Sequence, residues 1–190
     1  MASKKVEEQV NLGKETVEKT EKVKKRTKAE MIRDLKRNAS KIDVEVMNLT
    51  NGSFIYENGY DSIRMNEPGE TVIVGLDLLL KMKNSPTLRK LFLSIVDVYS
   101  EEYELEDVLS ILDLTKIYGD KILTLDCLDE ILEDSSVDEF AITLKKESPE
   151  LARRLCQRAI YLAHANKFDS MGKRSVVENE FNNAFIFKSN

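Results

Sequence analysis

One histidine, His164, and two cysteines, Cys127 and Cys156, are the side chains here best suited to nucleophilic or metal chemistry. A nucleophile needs a base brought to it, and a structural zinc site needs His and Cys in paired spacing. His164 stands between Ala163 and Ala165 near the end of a helical pattern, and no spacing puts a Ser or Cys beside it. Helix C-termini favour cations, so a plain, partly exposed imidazole is the expectation. The cysteines lie 29 positions apart with no paired spacing. Two buried free thiols in a reducing compartment are expected, rather than a metal site or a disulfide.

The acids Asp126, Asp129, Glu130 and Glu133 recur three to four apart, with Asp134 following, and share one helix face. A calcium loop would alternate oxygen ligands around a central glycine, which is missing, so a solvated face is expected. Arg153, Arg154 and Arg158, with Lys145 and Lys146 upstream, make a small basic patch. Pairing with the acidic helix or with another protein is expected of them, ahead of phosphate binding. Neither glycine-rich phosphate pattern occurs, and Gly52, Gly59 and Gly69 read as turn residues. No catalytic residue, metal or cofactor is assigned. Several helix pairs fit the loose helix-turn-helix template, so none is assigned either.

The elements behind these residues divide by composition. Of 190 residues, 42% are apolar and 33% charged, enough to build a core in one or two domains. No apolar run approaches the roughly 18 residues of a membrane span, and no apolar stretch follows the N-terminal lysines as in a secretory signal. Charge is lopsided: residues 1–41 hold 13 Lys/Arg and seven Asp/Glu, or +6, which leaves −11 on the remainder. A basic arm on an acidic body suggests different partners for the two ends. Three parts are expected, a charged helical arm over 1–40, a small, mainly antiparallel β section over 41–99 and a helical section over 100–190, giving an α+β class.

In the arm, Val10, Val17 and Met31 fall on a heptad grid, but Lys24 fills one slot and Gly13 interrupts. Glu18 with Lys22 and Glu21 with Lys25 are favourable pairs four apart, worth a few tenths of a kcal/mol each. Such a segment is too polar to hold a helix alone in water. Three readings stand: a solvated arm, a helix that orders along its thin valine seam on a neighbouring subunit, and nucleic-acid contact through Lys22 to Lys28. The last is weakened by interleaved acids and the absence of aromatics to stack on bases. Ala29 to Arg37, with Met31, Ile32 and Leu35 on one face, is the best helix of the arm and can dock on the body.

Alternation of Ile42, Val44 and Val46 with Asp43 and Glu45 marks a strand. Asn51-Gly52 predicts a hairpin that returns through Phe54-Ile55-Tyr56, and Asn58-Gly59 turns the chain again. Pro68-Gly69 leads to the β-branched run Thr71 to Val74. A short helix over Asp77–Lys83 follows, with Pro86 opening another turn. Leu91 to Val96 is apolar throughout and is expected as a central strand. Beyond it, Leu105, Val108, Leu109 and Leu112 mark a helix face, and Ile117-Tyr118 reads as a connector. Thr124, Ser136, Ser148-Pro149 and Ser170 are helix start signals. The apolar tail Ala184-Phe185-Ile186-Phe187 either tucks into the core or docks on a neighbour.

The order of elements resembles a family of small virion-associated proteins of tailed phages, seen most often in phages of Gram-positive hosts. The resemblance rests on Pro68-Gly69-Glu70, Thr71 to Val74, Leu78 to Leu80, Leu91 to Asp97, Tyr103, Glu106-Asp107-Val108, Leu125-Asp126-Cys127-Leu128-Asp129 and Lys173-Arg174, across residues 42–182. Ser85-Pro86-Thr87 replaces the family's glycine pair, and the long basic arm is not part of its pattern. The resemblance implies a non-enzymatic particle component, made in the host cytoplasm and located in the virion. Its partners would be other virion proteins or copies of itself, with no membrane. Val10, Val17, Met31, Ile32, Leu35, Phe185, Ile186 and Phe187 are the candidate partner-binding residues. A phage nucleic-acid-associated or regulatory protein using the basic arm is the alternative.

Overall fold

The computed structural model describes residues 27–184, 186 and 187. Helix α1, Lys28–Asn38, starts at Thr27, whose hydroxyl accepts the Glu30 N–H while the Glu30 carboxylate accepts the Thr27 N–H at 2.9 Å. This reciprocal cap satisfies two amides that a helix start leaves open. Leu35 and, one turn on, Ala39 are buried in the core, and Met31 and Ile32 are half-buried against it. From Lys28 onward the predicted arm is therefore part of the body.

Strand β1, Asp43–Asn48, is the centre of a three-stranded antiparallel sheet. Strands β2, Phe54–Asn58, and β3, Asp61–Met65, form a separate hairpin across Gly59-Tyr60, with Gly59 at φ +65°. Strands β4, Thr71–Gly75, and β5, Leu93–Tyr99, flank β1 on its two sides. Two expectations fail here. Asn51-Gly52 does not fold β2 back onto β1, because both edges of β1 are already occupied by β4 and β5. That segment is instead tied down by Asn48, which is fully buried. Its side-chain amide donates to the carbonyls of Gly52 and Glu67 at 2.7 and 2.9 Å, and its Oδ1 accepts from the Thr50 N–H and hydroxyl at 2.9 and 2.7 Å.

The second correction concerns β5, which is an edge strand, not a central one. It reads as apolar because its outer side is covered by helices. Helix α2, Leu76–Met82, and the short α3, Pro86–Arg89, lead into it. Helix α4, Leu105–Ile111, and the one-turn α5, Thr115–Tyr118, follow and pack on the sheet. The predicted connector thus supplies Tyr118, a fully buried side chain. Its hydroxyl accepts the Ile95 N–H at 2.6 Å and lies 3.1 Å from the Ser94 hydroxyl. An edge amide that finds no neighbouring strand is thereby paired with a side chain. Burial pushes the Tyr118 phenol up to about 12.

Four more helices complete the body: α6, Leu125–Asp134; α7, Val137–Lys146; α8, Pro149–His164; and α9, Met171–Glu180. Thr124, Ser136, Ser148 and Ser170 each accept a first-turn amide, as their sequence positions predict. One core runs from Leu35 to Val177 and takes in residues of both the β and the helical sections. The class is α+β, with small antiparallel sheets and mainly helical surroundings. Among the described residues, no helix is long and apolar enough to cross a membrane.

Candidate interaction surface

Alternation on β1 sends Val44, Val46 and Asn48 inward and leaves Asp43, Glu45 and Met47 on the outer face. Register then decides their neighbours. Glu45 sits opposite Ile73 on β4 and opposite Asp97 on β5, and Asp43 opposite Tyr99. The register of β1 on β5 steps from the Glu45–Asp97 pair to the Val46–Ile95 pair, which leaves Val96 as the extra residue of a bulge. Ile73 is 60% exposed and Tyr99 49%, high values for large apolar side chains. The Tyr99 hydroxyl donates to Glu45 Oε2 at 2.9 Å, and this bond to a carboxylate holds the phenol above its ordinary range. The outer face therefore carries an apolar rim at each edge strand with carboxylates between, and Asp43, Glu45 and Asp97 make no ion pair among the described residues.

The β2–β3 hairpin projects a second set. Phe54, Ile63 and Met65 root it in the core, while Ile55 is exposed and Tyr60, at the turn, is wholly so. Lys81 on α2 clamps the tip through Asp61 at 2.7 Å, and Arg64 crosses to Glu57 at 3.5 Å. Hydrogen bonding to Asp61 raises the Lys81 ammonium above its usual value. The hairpin thus presents exposed aromatic and branched side chains, the kinds of group that form anchors at protein interfaces.

The predicted partner residues fare unevenly. Leu35 is fully buried in the protein's own core, at the floor of the groove that Met31 and Ile32 line. Met31 and Ile32 line a groove of about 470 Å³ between α1 and α4, with Lys28, Glu106, Asp107 and Thr115 on its walls. Ile186 is half-buried, and Phe187 packs on the core with the Arg174 guanidinium 5.7 Å from its ring centre. Of the two fates expected for the tail, Phe187 takes the tucked one. Val10, Val17 and Phe185 lie outside the described residues.

The chemistry-bearing residues disperse. His164 is exposed at the end of α8, and both cysteines are free thiols that burial pushes up, Cys156 to about 12. Among the described residues, no three His, Cys, Asp or Glu side chains gather as a metal-holding group. Within the basic patch, Arg158 pairs with the acidic helix as expected: its Nε and Nη2 donate to the two Asp129 oxygens at 2.7 and 2.6 Å. Lys173 reaches the last carbonyls of α6, at Leu132 and Glu133, where a cation suits a helix C-terminus. Arg174 donates to the Phe168 carbonyl. The Lys173-Arg174 pair is thus engaged within the fold.

Ile55 and Ile73 read from sequence as strand residues only, and neither they nor Tyr60 and Tyr99 are among the partner-binding candidates that the sequence offers. Strand alternation marks Ile73 as the partner of outward Glu45 only once the register is known. No protein-family model, curated protein or solved structure matches the chain.

Proposed function

We propose that the chain is a non-enzymatic assembly component that joins a tailed-phage particle through protein–protein contacts, the role implied by its resemblance to virion-associated proteins. The observation that carries this reading is the outer face of the β4–β1–β5 sheet, where Ile73 and Tyr99 stand exposed on a fixed framework beside three carboxylates that make no ion pair among the described residues. The face fits a neighbour that brings apolar side chains and cations, either another virion protein or a copy of this chain. Tyr60 and Ile55 on the hairpin extend the same role. The protein would be made in the host cytoplasm and end in the virion.

The test is mass spectrometry of purified particles from a host supplying either the natural chain or an Ile73→Lys, Tyr60→Lys variant. Both positions face solvent, so the isolated variant should keep its stability within about 0.5 kcal/mol. The natural chain should be found in particles and the variant depleted. Equal incorporation of the variant would remove the sheet and hairpin from the interface. A chain absent from particles, which binds nucleic acid with steep salt dependence through residues 1–38, would favour the regulatory alternative.

A further inference from the structure

Although the chain beyond residue 41 is strongly acidic, four cations crowd one place on it, where the end of α3 meets the first turns of α8. Arg89, Lys90 and Arg153 line a pocket of about 270 Å³ together with Pro149 and a single acid, Glu150. None of the three cations makes an ion pair among the described residues. Asp113, whose carboxylate also feels Arg89, is already held by Lys83 at 2.6 Å.

Behind this wall lies Arg154, only 4% exposed. Its Nη2 donates to the Lys90 carbonyl at 2.8 Å and its guanidinium sits 5.0 Å from the Phe92 ring centre. Among the described residues its Nε has no hydrogen-bond partner and no carboxylate pairs with it. A buried arginine ordinarily comes with an acid. Here the acid is missing from the described fold, and the charge adds to the field of the three cations in front.

We propose that this pocket binds the carboxylate side chains of an acidic polypeptide segment from a partner protein. Guanidinium groups match carboxylates in forked pairs, and the aliphatic stems of Arg89, Lys90 and Arg153 with the Pro149 ring form a bed for methylene groups. The start of α8 argues against phosphate as the ligand. Pro149 has no N–H, Leu151 donates to the Ser148 hydroxyl at 3.2 Å and Ala152 to the Ser148 carbonyl at 2.9 Å. Of the open amides that cradle phosphate at other helix starts, only the Glu150 N–H is left, and the Glu150 carboxylate repels a phosphate dianion more strongly than a singly charged carboxylate.

The experiment is an NMR titration of the full ¹⁵N-labelled chain with end-blocked hexaglutamate, end-blocked hexaglutamine and inorganic phosphate. Hexaglutamate should shift amides of residues 88–92 and 150–154 saturably, and hexaglutamine should not. Arg89→Gln with Arg153→Gln should weaken binding roughly tenfold or more. Lys28→Gln with Lys116→Gln, on the rim of a different groove, should leave it unchanged. The proposal falls if shifts do not saturate, if they centre elsewhere, or if the control pair weakens binding as much as the pocket pair. It falls too if phosphate saturates the same amides at lower concentration than the peptide. The unsubstituted chain alone decides the mapping, so an unstable variant cannot obscure the result.

Discussion

Replacing Tyr118 by Phe removes one oxygen from the core and strands the Ile95 amide, which donates to it at 2.6 Å inside a fully buried edge of the sheet. The ring stays in place, so the change isolates a hydrogen bond from packing. A buried donor left without a partner costs about 1–3 kcal/mol, and the Ser94 hydroxyl, 3.1 Å away, loses its partner as well. About 2.5 kcal/mol of lost stability is expected, which for a chain of this size lowers the melting midpoint by roughly 5–10 °C. Tyr103→Phe is the built-in comparison. Tyr103 is also buried, but its hydroxyl has no hydrogen-bond partner among the described residues. The same substitution there relieves an unpaired group and should be neutral or slightly stabilising. Guanidinium melts would show Tyr118→Phe shifting the midpoint with an unchanged slope, and amide exchange should rise at Ile95. Ser94→Ala should cost about 1 kcal/mol alone yet nearly nothing in the Tyr118→Phe background. If the two tyrosine variants lose equal stability, or if Ser94 and Tyr118 prove additive, the pairing argument for the β5 edge is refuted.

Two further outcomes follow from buried groups. Tyr118 and Cys156 are each pushed by burial to about 12, above the ordinary values of 10.0 and 9.0. The folded chain thus binds protons more tightly than the unfolded one. Their stabilising contribution is complete below pH 9 and is lost as pH rises toward 12. Urea midpoints at pH 8 and pH 11 should therefore differ less in Cys156→Val and in Tyr118→Phe than in the natural chain, and equal differences would contradict this. Arg158→Met should cost about 2 kcal/mol, because it abandons Asp129 in a half-buried site after removing both arms of their fork. Thermal melts in low and high salt would check it, and a loss that disappears in salt would mean the pair acts as a surface contact.

Helix starts were legible because their chemistry is local. Thr124, Ser136, Ser148 and Ser170 each bond an amide three residues ahead, so a few letters contain the whole interaction. Strand partners were not legible, for the opposite reason. Asn51-Gly52 and Asn58-Gly59 are equivalent as turn signals, yet only the second closes a hairpin. What separates them is Asn48, whose amide reaches the carbonyl of Glu67, 19 residues away. Tyr118 looked like part of a connector because its partners, Ser94 and Ile95, lie more than 20 positions earlier.

The three arginines of α8 carry the same lesson to the candidate sites. In sequence, Arg153, Arg154 and Arg158 are one basic patch. On a helix, successive residues are turned by roughly 100°, so neighbours in sequence face different surroundings. Arg153 borders the open pocket, Arg154 points its charge at Phe92 and the Lys90 carbonyl, and Arg158 grips Asp129. Among the described residues, only the last of these has its acid. The second wall of the pocket, Arg89 and Lys90, enters from some 60 residues upstream, and no window along the chain contains both walls. An apolar run likewise reports burial, not position: β5 is apolar because helices close its edge, and that closure needs Tyr118 to take the amide that a neighbouring strand would otherwise have taken. On the outer face of the same sheet Ser94, opposite Met47, lies covered by Tyr118, whereas Ile73 and Tyr99 stay exposed, because no described element is packed over them.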